Sequence, residues 1–449
     1  MKRGCSKSKL TGQVYSSLTA KFFSDKIIFN VKSDGLLLTG KQQDMYITRH
    51  AEATIDQLSK QFGAVLVTGP RQSGKTTMLL KKLNDIRYLS LDDTILRTAA
   101  IENTNTFLKD NPPPLFLDEV QKAPELFPQI KISLDTSHEK GQFFLSGSQQ
   151  FKMMKHVSES LAGRVGILNL LGFSLRETSG MSNRMPFIPT EEYFSERGKE
   201  AGKLNYDGVW NRIWRGSMPE LCTNPDFNWQ MFYGSYMTTY IERDVRDLAQ
   251  VGDELKFARF MAVMAARNGQ LLNLQSAAND VGISQPTAGR WLSILIASHI
   301  VYLLQPFSNN RTNRAVKTPK LYFLDTGLAA YLCRWNTVET LKHGAMAGEF
   351  FEAFVLSEII KSYYNQGILE PPLYFYRNKD QKEIDIIIEE NGILYPLEIK
   401  KHADPGLHDF DNLKMVDRFG VRGPGGVICM YDRLLTMRDQ DRVIPVNYL

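Results

Sequence analysis

Gly69-Pro70-Arg71-Gln72-Ser73-Gly74-Lys75-Thr76 is a complete phosphate-binding loop of the form G-x-x-x-x-G-K-[ST]. Its flanks carry the right context. Ala64 to Thr68 is an apolar run of strand length, and Thr77 to Leu83 has the pattern of a helix leaving the loop. A strand, a glycine-rich turn and a helix N-terminus in that order aim successive backbone N–H groups at one point, where a triphosphate is expected. Residues Gly69 to Thr77 are therefore the candidate nucleotide site. Lys75 is placed to reach the β- and γ-phosphates, and the Thr76 hydroxyl is placed to take one position on Mg²⁺.

Asp118, 43 residues after Lys75, closes the apolar run Leu115-Phe116-Leu117 and is followed by Glu119. This pair reads as a Walker B strand end: Asp118 supports the metal and Glu119 polarises an attacking water. A further apolar run, Gln142 to Ser146, ends in Gly147-Ser148-Gln149, polar groups expected to face the γ-phosphate. The guanine-selective string Asn-Lys-x-Asp has only a misspaced echo in Asn378-Lys379-Asp380-Gln381, so ATP is the expected nucleotide.

At 449 residues the chain is long for a single core, and 43% apolar content is ample for globular folding. Cys5, Cys222, Cys333 and Cys429 lack any metal-ligand or disulfide spacing, which fits a reducing cytoplasm. Leu292 to Phe307 is the most apolar run, but Ser293, Ser298, His299 and Gln305 interrupt it short of the ~20 residues a membrane span needs. No membrane span is expected. The net charge of +5 resides in residues 1–44, which hold eight Lys/Arg and three Asp/Glu; the remainder is balanced. That basic extension has no secretory cleavage pattern; it reads as a disordered extension, or as residues upstream of a natural beginning at Met45.

Residues 45–172 alternate strands and helices, as in a P-loop NTPase with a mainly parallel sheet and its ligand at the strand C-termini. Residues 173–250 read as a helical lid, with Gly180 to Asn205 as a polar, mobile insertion. The charged run in Tyr240 to Arg246 fits a lid helix or a solvated face of ion pairs. Residues 251–330 have the order of a winged helix. Helices are expected over Leu255–Ala266 and Leu274–Val281, and a third is capped by Ser284 with Pro286 in its first turn. Trp291, Leu292 and Leu295 would face the core, leaving Gln285, Thr287 and Arg290 outward. Two strands, Ile300–Leu304 and Lys320–Leu324, bracket a basic wing tip containing Arg311 and Arg314. Such a module contacts either DNA or a protein.

Residues 331–449 contain the second chemical constellation. Asn391-Gly392 is a strong two-residue hairpin turn. Pairing outward from it puts Asp385 opposite Glu398 and Glu383 opposite Lys400. Alternate residues share a face, so carboxylates and a lysine gather on one side while Ile384, Ile386, Leu397 and Ile399 fill the other. Opposed carboxylates repel, and a divalent cation or cross-strand ion pairs would relieve them.

The hairpin resembles the PD-(D/E)xK nuclease superfamily. That resemblance implies Mg²⁺ held by Asp385 and Glu398, Lys400 helping to activate water, and Glu352, on a helix opened by Gly348-Glu349-Phe350-Phe351, as a further acid. Isoleucine stands before Asp385 where the motif has proline. The P-loop, Leu-Phe-Leu-Asp-Glu, Leu-Ser-Gly-Ser-Gln, Leu161-Ala162-Gly163-Arg164, Tyr-Ile-Glu-Arg-Asp and Leu321-Tyr-Phe-Leu-Asp-Thr-Gly327 are, in that order, similar to a family of prokaryotic AAA-type ATPases whose C-terminal half is a domain of unknown function. The resemblance spans about residues 45–401. It implies ATP and Mg²⁺ as cofactors, a winged helix, a restriction-endonuclease-like α/β end, and partners among DNA, further copies of the chain or another protein. It also marks Arg164 as a finger or sensor arginine, or a salt-bridge partner. Asp325 reads as a helix cap.

Overall fold

The structure is a computed structural model that describes residues 46–148, 159–182, 184–240, 254–309 and 318–449. The basic extension, Gln149, the charged run after Tyr240, and Arg311 and Arg314 lie outside the described residues.

Five parallel strands form the first sheet: β1 (Ala64–Thr68), β2 (Arg87–Ser90), β3 (Leu115–Asp118), β4 (Phe143–Gly147) and β5 (Val165–Asn169), in the order β2-β3-β4-β1-β5. All five residues of β1 are buried, because helices cover both faces. Val65, Val67, Phe116 and Phe144 pack with helices Ala51–Gln61 and Lys75–Lys82 on one side. Ala64, Leu66, Leu117 and Leu145 pack with Phe107, Phe127, Ile130 and Leu134 on the other. Truncating a residue such as Leu66 to alanine would cost about 2–5 kcal/mol. Because β4 separates β1 from β3, its C-terminal tip stands between the phosphate-binding loop and the acidic strand end.

Helices Tyr206–Arg215, Pro219–Thr223 and Trp229–Tyr240 follow, with Trp214 stacked on Trp229 at 4.6 Å. The next elements are helices Glu254–Ala265, Leu274–Val281 and Gln285–Ala297, with strands β6 (Gln270–Leu271), β7 (Val301–Pro306) and β8 (Lys320–Phe323). Ser284 caps the third helix through Thr287 N–H; Trp291, Leu292 and Leu295 are buried, and Gln285 and Arg290 are exposed.

The C-terminal part contributes β9 (Leu373–Arg377), β10 (Glu383–Glu390), β11 (Ile393–Lys400), β12 (Val421–Arg422), β13 (Gly426–Cys429), β14 (Leu435–Arg438) and β15 (Asp441–Pro445). These strands do not form a separate sheet. β7 pairs in parallel with β9 through Gln305–Tyr374 and Pro306–Phe375, so the order runs β14-β15-β13-β11-β10-β9-β7-β8-β6, with β12 beside β11. One hydrophobic core extends from Leu171 through the helical lid and helices Glu254–Ala265 and Gln285–Ala297 to Leu449. Helix Ala347–Tyr364 lies inside it and is buried on nearly every side.

The expected mobile insertion is instead docked. Helix Glu191–Glu200 buries Tyr193 and Phe194. The Tyr193 hydroxyl donates to the Tyr448 carbonyl at 2.6 Å, and Arg197 donates to the carbonyls of Tyr448 and Leu449 at 3.1 Å each. Two aromatic side chains and one arginine outweigh the polar composition around them. No helix among the described residues is long and apolar enough to cross a membrane.

Candidate functional site

The phosphate-binding loop turns from β1 into helix Lys75–Lys82. Gly74 makes the turn with φ 88°. At Gly69 a Cβ would stand 2.0 Å from the Leu170 carbonyl oxygen, so the loop's entry tolerates only glycine. Lys75 is buried and donates to the carbonyls of Gly69 at 3.0 Å and Pro70 at 2.8 Å. Thr76 Oγ1 lies 3.1 and 3.0 Å from the two Asp118 carboxylate oxygens. Ser146 also donates to Asp118, and the Tyr88 hydroxyl does so at 3.2 Å. Arg71 is half-buried, and Gln72 and Thr77 are exposed on the loop.

Glu119 sits in the left-handed region at φ 54°, which costs a non-glycine residue energy and aims its carboxylate out of the strand line. Burial pushes the Glu119 carboxyl above its usual range, against the opposing effects of the Gln121 amide and Lys75. A carboxylate so raised is better matched to accepting a proton from water.

The loop fits a triphosphate on independent grounds. The hydroxyls of Ser73 and Ser148 are buried and, among the described residues, have no hydrogen-bond partner. Unpaired buried donors beside a helix N-terminus suit an anion. Thr76 and Asp118 supply the hydroxyl and carboxylate oxygens that Mg²⁺ favours. Bound there, the metal would neutralise phosphate charge.

Arg164 does not join this site within one chain. It precedes β5 and lies beside Ala64, at the strand N-termini, whereas the loop leaves the C-terminus of β1. Roughly 15 Å of strand intervenes. Its guanidinium pairs with Asp135, with Nη2–Oδ2 at 3.0 Å. The salt-bridge alternative is the one that the structure contains.

Arg49 contributes a tether with no motif to announce it. Its guanidinium donates to the Ser73 carbonyl at 2.8 Å, the Leu171 carbonyl at 2.8 Å and Glu177 Oε1 at 2.9 Å, and lies over the Phe173 ring. Burial alone would raise the Glu177 carboxyl, but Arg49, His50 and the Ser174 N–H bring it down to about 2. His299, just before β7, is buried near the loop, with Pro70 lining the same small cavity. Burial, then the charge of Lys75, lowers its imidazole to about 4, which keeps it neutral.

The second site centres on the hairpin. Asn391 and Gly392 turn with φ 53° and 78°, and the ladder runs from Glu390–Ile393 to Ile386–Leu397, the expected register. At the open end, Asp385 Oδ2 accepts from the Ile399 N–H at 2.8 Å. Single ligand oxygens from Glu352, Glu383 and Asp385 lie within 4.8 Å of one another. They line a cleft of about 630 Å³ that also presents Lys320, Lys400, Lys401 and His402.

Glu398 does not complete that group. It is buried behind it, with Oε2 bonded to Lys400 at 2.9 Å and Oε1 buried without a partner among the described residues. Burial, then the nearby Asp385 carboxylate, pushes Glu398 up to about 9. The same two causes raise Glu352 to about 7. Lys400 thus pairs along its own strand, and not across to Glu383 as the hairpin geometry suggested. The partner of Glu383 is Lys320, which also lies 2.8 Å from Glu352. The Tyr322 hydroxyl donates to Glu352 as well. Lys320 and Tyr322 come from β8, far away in sequence, and no local pattern marks them. Asp325 is the expected cap, accepting from Leu328 N–H at 2.8 Å, and also from Ser217 N–H at 2.7 Å.

Residues 61–179 match the family described as AAA domain. Residues 206–339 and 347–449 match two families described as domains of unknown function, DUF8612 and DUF4143. The uncharacterized proteins Rv2008c of Mycobacterium tuberculosis and Mb2031c of Mycobacterium bovis are each 28% identical to this chain over 396 residues, 84% of this chain and 80% of the relative. Among solved structures, the Walker-type ATPase PABY2304 of Pyrococcus abyssi is similar over 65% of this chain and 97% of its own, at 12% identity and TM-score 0.41. The Thermotoga maritima RuvB Holliday junction branch migration motor covers 56% and 88%, at 14% identity and TM-score 0.27. Scores this low carry no argument here. The matching AAA domain does: the N-terminal part is an AAA-type P-loop ATPase domain that binds ATP, and the protein is an ATP hydrolase.

Proposed function

We propose that the protein is an ATPase acting on DNA, and that its C-terminal α/β part performs Mg²⁺-dependent phosphodiester cleavage. The observation that carries this reading is the clustering of Glu352, Glu383 and Asp385 oxygens within 4.8 Å, in a cleft that also holds Lys400. Acid clusters are common, but here Glu398 adds a buried, unpartnered carboxylate oxygen immediately behind Asp385. A hard divalent cation is the ligand that such a set of oxygens would take. In this reading Glu352, Glu383 and Asp385 hold the metal, and Lys400 offsets charge developing on the scissile phosphate. The exposed Gln285 and Arg290 of the third winged-helix helix would contact the duplex. In the ATPase, Lys75 and the loop N–H groups hold the phosphates, Thr76 and Asp118 hold Mg²⁺, and Glu119 orients water.

The test is cleavage of duplex, branched and single-stranded DNA with Mg²⁺ or Mn²⁺, with and without ATP. Wild type should cleave at least one substrate. Asp385→Ala and Lys400→Ala should lose cleavage and keep ATP hydrolysis, since the phosphate-binding loop belongs to another sheet. The lysines already paired with Glu352, Glu383 and Glu398 favour a second reading, an ATP-gated regulatory protein whose C-terminal part binds a partner without cleaving DNA. Absence of cleavage on every substrate would select it.

A further inference from the structure

The acid cluster already contains a cation. Lys320 is only 5% exposed, and its ammonium bridges Glu352 and Glu383. Its ammonium also lies over the rings of Tyr322 and Phe375, at 5.7 and 5.8 Å from their centroids. The strand that supplies it, β8, lies near the other end of the same sheet and pairs with β7 and β6. The acids come from helix Ala347–Tyr364 and from β10.

We propose that Lys320 is an internal counter-cation that competes with the divalent metal for Glu352 and Glu383, so that the winged-helix strand holds the C-terminal site in a latent state. The inference rests on the reading of these acids as a metal site and adds its regulation. An ammonium donating to two carboxylates makes short charge-assisted bonds in a half-buried cleft, where they are stronger than in water. Removing either acid's share of that cation leaves a buried like-charge pair, so the lysine stabilises the metal-free fold. A metal ion entering among Glu352, Glu383 and Asp385 meets that fixed positive charge at contact distance and must displace it. Lys400 does not have the same effect, because it bonds to Glu398 at the rear of the cluster and remains one-third exposed. Any movement of β8 that withdraws Lys320 would free two carboxylates at once, which gives a winged-helix ligand direct leverage over metal uptake.

The experiment is Mn²⁺ binding to the full chain, followed by calorimetry and electron paramagnetic resonance without nucleotide. Lys320→Met should bind Mn²⁺ at least about tenfold more tightly than wild type, and Lys320→Arg, which keeps the charge, should remain near wild type. Equal affinity in wild type and Lys320→Met would overturn the inference and leave the metal-site reading standing. No Mn²⁺ bound by any of the three proteins would overturn both. Should Lys320→Met fail to fold, the wild type still decides the matter through amine labelling of Lys320 read by mass spectrometry. Saturating Mn²⁺ should raise its reactivity several-fold, and unchanged reactivity in protein with bound Mn²⁺ would overturn the inference.

Discussion

The phosphate-binding loop and the acid hairpin each collect charge for a partner of opposite sign, but they hold it differently. Lys75 rests on two neutral carbonyls, those of Gly69 and Pro70. The hairpin acids rest on ammonium groups, Lys320 against Glu352 and Glu383 and Lys400 against Glu398. An ammonium–carboxylate contact joins two net charges and an ammonium–carbonyl contact only one, so displacing the hairpin lysines costs more than turning Lys75 from these carbonyls to a phosphate. One site is poised and the other is self-neutralised. The contrast also separates how each is built: the first from eight consecutive residues plus one strand end, the second from a helix, a hairpin and the distant strand β8.

The largest effects should come from the poised site. Lys75→Ala should weaken ATP binding by about 100-fold, the worth of a charged hydrogen-bond donor lost from a buried site, as read by calorimetry with Mg²⁺. Glu119→Gln should bind ATP normally and lower phosphate release by roughly 10²–10⁴, the range for a lost general base. Equal ATP affinity for wild type and Lys75→Ala would break the comparison at its stronger end.

Next in size is the tether beneath the loop. Glu177→Gln leaves the buried Arg49 guanidinium without its carboxylate, and breaking a buried pair from one side costs about 3–5 kcal/mol. The denaturation midpoint should fall accordingly, and ATP affinity with it, because Arg49 also anchors the Ser73 carbonyl. The sign of the pH dependence follows from the depressed Glu177 carboxyl. Its contribution is fully present above the ordinary carboxylate range near 4.5 and is lost as the pH falls towards 2. Acid melts of wild type should therefore lose stability in that window more steeply than those of Glu177→Gln.

The self-neutralised site should respond in the opposite direction. Glu352 and Glu398 are raised to about 7 and about 9, so the folded state binds their protons more tightly than the unfolded chain does. Stability from this source is complete below about 4.5 and declines as the pH rises through 7 and 9. Between pH 6 and 9 the metal-free melting temperature should fall by a few degrees. Asp385→Asn should flatten that decline, because Asp385 is the neighbour that raises both groups. Saturating Mg²⁺ or Mn²⁺ should flatten it in wild type. A melting temperature insensitive to pH and metal over that range would mean that the acids are fully relieved by their lysines.

Legibility in the sequence follows the same division. The strand, loop and helix around Lys75 are contiguous, and the hairpin register follows from the two positive-φ residues Asn391 and Gly392. Both are local physics. Lys320, Tyr322 and the Arg49–Glu177 pair meet their partners only through tertiary packing, across 30 to 128 positions of chain. The docking of helix Glu191–Glu200 was hidden for a related reason: composition weighs every residue equally, whereas Tyr193, Phe194 and Arg197 supply all of its buried side chains. The merging of strands β6 to β8 into the C-terminal sheet depends on two residues of β7, Gln305 and Pro306, that have no distinguishing pattern.

The smallest expected effect concerns Arg164, and it tests the geometry of the poised site. An arginine at the strand N-termini, bonded to an exposed Asp135, can touch neither the phosphates nor Glu119 of its own chain. Exposed ion pairs contribute little to stability, since solvent and salt screen them. Arg164→Ala should therefore leave ATP affinity unchanged and the melting temperature within error of wild type. Turnover measured over a wide range of protein concentration supplies the finer distinction. If Arg164 acts only as a salt-bridge partner, wild type and variant should have the same turnover at every concentration. If copies of the chain assemble so that Arg164 reaches a neighbour's nucleotide, the variant should fall behind only at concentrations where assembly occurs. A loss of ATP affinity in dilute Arg164→Ala would contradict the strand order, because it would require the arginine to act at the opposite end of its own sheet.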